Sequence, residues 1–381
     1  MPSYYEFFAG GGMARAGLGQ EWSCLFANDI DAKKAASYAA NWGKEHLLVR
    51  DVSGVSPADV PGYADLAWAS FPCQDLSLAG AGVGLKGTRS GTFWPFWRLM
   101  QALLKEERDP SLVVLENVCG ALASHNGKDF AAIGAALTEG GYRFGALVMD
   151  AVRFVPQSRP RLFIIAVRNN RSIPEGVTAA GPDSFWHPSH LVNAYDKLSV
   201  SSREAWIWWR LPAPSPRTSV FSELIEEEPQ GVAWHTAAET RRLLSLMSPI
   251  NRRKVAQAKK AGRRQVGGIY RRTRQDENGN RAQRAEIRFD EISGCLRTPV
   301  GGSSRQSILI VESNNVRSRL LSSREAARLM GLPDSYILPK NYNEAYHLAG
   351  DGVVVPVVRF LAAYLLEPLL AAIRTRREEA A

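Results

Sequence analysis

The chain has 381 residues and a net charge of +9, and with 45% hydrophobic and 22% charged residues it has the composition of a globular protein. No run of 18 apolar residues occurs, and a strand-like segment comes directly after the first residues, so we expect neither a membrane span nor a signal peptide. The four cysteines (Cys24, Cys73, Cys119 and Cys295) include no CxxC pair, which argues against a disulfide framework or a metal site and predicts a reduced, cytoplasmic protein.

The chain opens with an aromatic, strand-like run at 4–8, which is followed by the glycine turn 9–12 and then by a helical pattern. A strand, a glycine turn and a helix N-terminus bring the backbone close to a nucleotide-like ligand in open α/β sheets. Arg15 stands where the dinucleotide fingerprint requires its third glycine. After a second short strand at 23–27, Asp29 supplies a carboxylate at the position that binds a ribose in such folds. Together these features favour an adenosine-containing ligand over a purely structural turn and helix cap.

The stretch Phe71-Pro72-Cys73-Gln74 comes after a short buried strand at 65–69. It places a thiol where a strand passes into a loop. A thiolate is a soft, strong nucleophile that can add to an electron-poor carbon. Taken alone, Cys73 fits a small core residue better than a catalytic one.

The apolar run 112–118 predicts a central parallel strand, with Glu116 at the carboxyl end where such sheets build their sites. A carboxyl group flanked by apolar residues should resist ionisation, so at neutral pH Glu116 could donate or share a proton. A glutamate that caps a helix is an equally good interpretation of this segment by itself.

The segment Gln157-Ser158-Arg159-Pro160-Arg161 joins two apolar strands at 143–149 and 162–167. The short loop brings both guanidinium groups to one end of the sheet, and Pro160 stiffens their spacing. Arginine forks suit carbonyl oxygens and phosphates. A solvated loop remains the alternative.

Basic residues are concentrated in residues 241–288, which contain 15 Arg and Lys against three acids. The rest of the chain is therefore slightly acidic. A polyanionic partner explains this concentration better than a solvated helical face does, because neutralised phosphates release counterions. Arg271-Arg272-Thr273-Arg274 with Gly279-Asn280 predicts a hairpin arm suited to a groove of nucleic acid.

These motifs are followed by Leu296-Arg297-Thr298-Pro299-Val300-Gly301-Gly302 and by Gly350-Asp351-Gly352-Val353. Their order resembles that of the cytosine-C5 DNA methyltransferases that use S-adenosylmethionine. The resemblance implies an α/β fold, a doubly wound and mostly parallel sheet, with a second, smaller target-recognition domain. It implies a catalytic domain at 1–172 with 340–381, and a target-recognition domain at 173–339 that contains the basic segment. The family commonly has asparagine where this chain has Asp351.

The resemblance also implies roles for individual residues. Cys73 would add to C6 of the target cytosine, Glu116 would hold N3, and Arg159 and Arg161 would grip the base carbonyl and the adjoining backbone. Residues 82–93 resemble a mobile loop that closes over the flipped base. The residues implied to bind the cofactor are Phe8, Ala9, Gly10, Gly12, Asp29, Ile30, Asp51, Val52, Pro72, Phe93, Asp351 and Val353.

Double-stranded DNA is the implied partner, and we expect a monomer of the restriction-modification type whose cognate restriction endonuclease, if present, acts separately. An RNA-directed member of the family and a non-catalytic nucleic-acid-binding relative are the alternatives. The large basic insert favours duplex DNA, and the presence of Cys73, Glu116 and Arg159 argues against a non-catalytic relative. A nicotinamide oxidoreductase is disfavoured by Arg15.

Overall fold

A computed structural model describes residues 1–72, 91–275, 281–298 and 305–379. The chain forms two compact units, Met1–Asp150 with Pro160–Ser215 and Val355–Ala381, and Ala151–Arg159 with Pro216–Val354. The predicted domain boundaries after 172 and before 340 remain a prediction. In the structure, residues 173–215 are part of the first compact unit. Trp206 bridges to Phe144, and the Trp209 indole donates to the Ile165 carbonyl.

The main sheet of the first unit is nearly parallel. Its strands are β1 (Ser3–Phe7), β2 (Ser23–Asp29), β3 (Leu47–Val49), β4 (Leu66–Ser70), β5 (Leu112–Val118), β6 (Tyr142–Asp150) and β7 (Pro160–Arg168). They lie in the order β3-β2-β1-β4-β5-β7-β6, with β7 antiparallel to both of its neighbours. The strands β4 and β5 are buried along most of their length, as in sheets covered on both faces. The predicted doubly wound, mostly parallel fold is confirmed.

Short helices connect these strands and complete both units. They are α1 (Met13–Leu18), α2 (Ala32–Trp42), α3 (Phe93–Lys105), α4 (Lys128–Glu139), α5 (Ser189–Tyr195), α6 (Val200–Glu204), α7 (Ala237–Ser245), α8 (Pro249–Lys260), α9 (Ser323–Leu329), α10 (Tyr342–Asp351), α11 (Val355–Leu361) and α12 (Glu367–Glu379). In the first unit, a two-stranded sheet joins β8 (Thr178–Ala179) to β9 (Trp208–Trp209). Gly17 allows α1 to pack closely on α11, because an added Cβ there would lie 2.4 Å from the Val358 Cβ.

The second unit is built on an antiparallel sheet. Its strands are β10 (Gln265–Gln275), β11 (Arg281–Arg288), β12 (Ser307–Glu312) and β13 (Asn315–Leu320), in the order β11-β10-β12-β13. Helices α7 and α8 cover one face with apolar side chains, among them Leu243 and Val255. Helix α9 begins with a capping box formed by Ser322 and Glu325, and Glu325 also forms a fully buried ion pair with Arg319.

The helical run Tyr342–Thr375 is long and apolar enough to cross a membrane, and its most apolar window has a mean hydropathy of 1.9. Of that window, 56% is buried inside the protein. Core helices of soluble proteins show the same pattern, so this run is weak evidence for a membrane span.

Candidate active site

The glycine turn after β1 is held open by left-handed backbone. Gly10 and Gly12 have φ values of 56° and 75°, and the Gly12 amide donates to the Ala9 carbonyl at 2.8 Å. Phe8 also has a positive φ, 58°, a conformation that bulky L residues rarely adopt. An added Cβ at Gly10 would meet nothing within 4 Å, so the turn faces open space. The turn therefore forms a cradle that a ligand can approach closely.

Asp29, at the carboxyl end of β2, ties this strand to the glycine turn. One of its oxygens accepts from the Gly10 amide at 2.7 Å, and the other accepts from the Asp31 amide at 2.8 Å. Burial raises the pKa of Asp29, against the lowering effect of these two donors. Ile30 follows with 65% of its surface exposed, an apolar side chain available to a ligand.

The remaining residues predicted to bind the cofactor in the first unit differ in exposure. Asp51 caps the 3-10 turn Val52–Gly54, and the bond from the Ser53 amide holds its pKa below the ordinary value. Val52 and Phe93 are buried, whereas Pro72 is exposed. Phe71 lies between Phe93 and Phe8, with ring centroids at 5.6 and 6.4 Å.

These groups fit S-adenosylmethionine: the cradle suits close backbone contact, the carboxylate of Asp29 suits a ribose, and the apolar Ile30 suits an adenine ring. All of them lie in the first unit. These groups come together because β1, β2, β3 and β4 are parallel and end at the same edge of the sheet. The residues that follow each strand are therefore brought to that edge.

Glu116 and Arg161 form an ion pair at the ends of β5 and β7. The Arg161 Nε lies 3.2 Å from the Glu116 Oε1, and side-chain exposures are 16% and 8%. Burial favours the neutral carboxylic acid, whereas the guanidinium favours the carboxylate. Glu116 pairs in register with Ser70, the last residue of β4. The sheet therefore brings a carboxyl, a guanidinium and the start of the Pro72-Cys73 segment to one edge.

Asn117 is a site residue that the sequence analysis missed. It is buried beside Glu116, and its Nδ2 donates to the Phe71 carbonyl at 3.1 Å, while its Oδ1 accepts from the Val118 amide at 2.8 Å. The side chain thus fixes the chain two residues before Cys73. Its position directly after Glu116 was the signal available in the sequence.

Cys73 and residues 74–90, which include most of the predicted loop at 82–93, lie outside the described part of the chain. Burial raises the pKa of the Cys24 thiol, and it raises the pKa of Cys119 to about 11. Neither thiol is therefore readily ionised. Among the described residues, no cluster of three His, Cys, Asp or Glu side chains forms a metal site.

Arg159 belongs to the second unit and is only 1% exposed. Its guanidinium donates to the Leu296 carbonyl at 2.9 Å and to the Gly350 and Gly352 carbonyls at 2.7 and 2.8 Å. Backbone carbonyls are thus the partners of its fork in the structure, and contact of Arg159 with the base stays a prediction. Gln157, also buried, donates to the Leu329 carbonyl and accepts from the Leu296 amide.

The last motif lies at the end of α10. Asp351 is exposed, and the Thr298 hydroxyl donates to its Oδ1. The departure from asparagine is thus compatible with this contact, since an aspartate accepts hydrogen bonds. Val353 is buried two residues later.

Trp42 supports the glycine turn from behind, and the sequence analysis did not identify it. Its Nε1 donates to the Gly11 carbonyl at 3.0 Å, and an added Cβ at Gly12 would lie 2.4 Å from that nitrogen. The Arg15 guanidinium lies over the Trp42 ring at 5.3 Å and donates to the Tyr38 hydroxyl at 3.0 Å. Arg15 therefore fills the place of the missing third glycine with a structural contact.

A glycine cradle beside the Asp29 carboxylate, with a carboxyl and a guanidinium at neighbouring strand ends, is typical of an α/β enzyme that binds a nucleoside cofactor at the carboxyl edge of its sheet. The family model of the C-5 cytosine-specific DNA methylases matches residues 3–367, and the chain belongs to this family. It is accordingly a DNA cytosine-C5 methyltransferase, which implies S-adenosylmethionine as the methyl donor and DNA as the substrate.

Individual relatives agree with this family. The chain is 26% identical to the type II methyltransferase M.NlaX of Neisseria lactamica over 370 residues, which cover 96% of each protein. It is 26% identical to the type II methyltransferase M.Bsp6I of Bacillus sp. (strain RFL6), over 96% of this chain and 98% of that protein. The crystal structure of the S. pombe Dnmt2 methyltransferase shares the fold with a TM-score of 0.58 at 18% identity, and the match covers 97% of this chain and 99% of that one.

Proposed function

We propose that the protein extrudes a cytosine from duplex DNA and methylates its C5 through a covalent bond between Cys73 and C6. The observation that carries this proposal is the buried pair of Glu116 and Arg161 at the strand ends beside Phe71-Pro72, directly before Cys73. The target carbon is inaccessible inside a stacked duplex, so the nucleotide must leave the helix.

The chemistry requires a nucleophile because C5 of cytosine reacts too weakly unaided. The Cys73 thiolate adds to C6, the C5–C6 double bond shifts its electrons toward C5, and Glu116 supplies or shares a proton at N3. When bound, S-adenosylmethionine supplies the electrophilic methyl group that C5 takes. Removal of the C5 proton then re-forms the double bond and releases the Cys73 thiolate. Glu116 prevents negative charge from building up in the ring.

Arg161 would contact both Glu116 and the target base. Its Nε bonds to Glu116, and a guanidinium has five N–H donors, which suits it to bind a further acceptor such as the base carbonyl as well. One of these nitrogens donates to the Pro160 carbonyl at 2.9 Å and so fixes the orientation of the fork. We assign Arg161 to contact with the base and Glu116 to contact with N3.

Two other residues position this machinery. Asn117 holds the Phe71 carbonyl and so sets the exit of β4, and Arg159 holds the carbonyls around Asp351. We assign the cofactor to the cradle formed by Phe8, Gly10 and Gly12, and its further contacts to the other predicted residues of the first unit, Ala9, Asp29, Ile30, Asp51, Val52, Pro72 and Phe93. Asp29 would hold the ribose there.

We propose duplex DNA as the substrate and a protective role in a restriction-modification system, acting in the cytoplasm as a monomer. The bacterial relatives are type II methyltransferases, which supports this role. Residues 241–288 contain 15 basic residues and only three acidic ones, and this concentration of positive charge supports duplex DNA as the partner.

The test is covalent capture on a duplex that contains 5-fluorocytosine, because fluorine cannot leave as a proton does. With S-adenosylmethionine present, we expect the wild type and Cys119→Ser to form a denaturation-resistant complex and Cys73→Ser to form none. Capture by Cys73→Ser, or its absence in the wild type, contradicts the mechanism. A parallel arm with a 5-fluorocytosine RNA of the same sequence separates the RNA-directed alternative.

A further inference from the structure

The ribbon formed by β10 and β11 has one covered face and one that carries charge. Ile269 and Ile287 are buried with Ala285 beneath α7 and α8. Successive side chains alternate between faces, so the opposite face carries Arg272, which pairs in register with Arg284. Both of these arginines are exposed.

A cavity of about 340 Å³ lies at the β11 edge of this ribbon. Helix α8 lines one side with Ile250, Asn251 and Lys254, and the ribbon lines the other with Arg272 and Glu286. Asn251 accepts from the Ile287 amide at 3.2 Å and Lys254 donates to the Ile287 carbonyl at 3.1 Å. These two side chains satisfy the outward amide and carbonyl of Ile287, and the Ala285 amide donates to the Leu246 carbonyl at 3.0 Å, so this part of the β11 edge is closed to another strand.

Glu286 determines which ligand fits. Its Oε2 lies 3.7 Å from the Arg272 Nε, and the two side chains are 37% and 46% exposed. A backbone phosphate offers only acceptors and so leaves the Glu286 carboxylate without a donor, although Arg272, Arg288 and Lys254 line the same cavity. A base-pair edge offers both donors and acceptors, and the neighbouring Arg272 guanidinium and Glu286 carboxylate of this cavity match it.

We propose that Arg272 and Glu286 read one G·C base pair of the recognition sequence from the major groove. The proposal rests on the proposed function only for the choice of duplex DNA as the partner. Arg272 would donate to O6 and N7 of guanine, and Glu286 would accept from the N4 amino group of its cytosine. The major groove admits a two-stranded ribbon of this width. Ile250, which is 60% exposed at the rim, would contact the methyl group of a neighbouring thymine.

The test selects binding sites from a library of duplexes with randomised positions and sequences the bound fraction, for the wild type, Arg272→Gln and Glu286→Gln. We expect both variants to lose preference at the same single position, which the wild type reads as G·C, by roughly ten- to a hundredfold. Arg253→Ala is the matched control, because Arg253 is an exposed cation of α8 outside the cavity lining. It should at most weaken all sequences equally.

The proposal is overturned if either variant keeps the wild-type preference, if the two alter different positions, or if the altered position is not G·C in the wild type. A wild type that selects no sequence at all also overturns it. Because the bound duplexes are sequenced and not the methylated ones, the test of base-pair recognition does not depend on methyltransferase activity. If G·C is selected at that position but bisulfite sequencing finds no methylation, the proposed function fails and the reading of the base pair stands.

Discussion

A carboxyl group under the cofactor cradle should make the stability of this protein depend on pH. Glu6, in β1, is 1% exposed and its neighbours include Tyr4, Cys24 and Tyr38. Burial raises the pKa of Glu6 from the ordinary 4.5 to about 8, although the charge and the backbone amide of Arg15 lower it. Glu6 is therefore largely neutral in the folded protein at neutral pH.

Proton linkage determines whether the free energy of unfolding rises or falls with pH. The folded state holds the proton up to a pH of about 8 and the unfolded state releases it near 4.5, so the stabilisation is complete below pH 4.5 and is lost as the pH rises through 8. Between pH 6 and pH 9 the loss from Glu6 alone amounts to roughly 3 kcal/mol. Glu6→Gln keeps an oxygen for the Arg15 amide and removes the titration, so its stability should lack this decline.

The assay is urea unfolding at pH 6 and pH 9, followed by tryptophan fluorescence and circular dichroism. The wild type should lose about 3 kcal/mol more than Glu6→Gln between the two pH values. Glu21→Gln, at an exposed position, is the control and should behave as the wild type does. If the wild type and Glu6→Gln lose stability in parallel, Glu6 is ionised in the folded state and the reasoning is refuted.

Three further predictions follow from the geometry. Trp42→Phe removes the hydrogen bond to the glycine turn and should raise the Kd for S-adenosylmethionine roughly two- to tenfold by calorimetry, whereas Trp22→Phe, which loses an indole bond to Glu367, should not; equal effects would contradict the positioning role. Arg161→Lys should lower kcat about ten- to a hundredfold with little change in cofactor Kd, since lysine cannot hold the carboxyl and the base together; an unchanged kcat would remove Arg161 from the mechanism. Glu325→Gln should cost about 3–5 kcal/mol in urea unfolding because it leaves a buried guanidinium without its counter-charge, and a loss below 1 kcal/mol would contradict this.

The sequence predicted the parts of the fold that depend on local pattern. The ligand cradle was predicted from the aromatic strand at 4–8, the glycine turn at 9–12 and Asp29. The prediction was possible because parallel strands end at one edge of a sheet. Glu116 was predicted at that edge for the same reason, and the structure pairs it with Arg161 there.

Contacts between distant residues could not be predicted in this way. The bond from Asn117 to Phe71 spans 46 residues and that from Arg159 to Gly350 spans 191, and each depends on a single side-chain conformation. Residues 173–215 contain several prolines, which favour a loop, but Trp206 and Trp209 contact strands of the main sheet. Packing energy there outweighs the local signal for a loop.

The first unit draws on three separate stretches of the chain, and this has a consequence for its synthesis. The surface of α1 around Gly17 is covered by α11, which begins only at Val355. At about 5–20 residues per second, a ribosome needs roughly 7–28 s to translate residues 216–354, which lie between the second and third of these stretches. During that interval the nascent chain displays an apolar seam that only its own last helices can close, so chaperone capture should peak then and fall once Val358 has emerged.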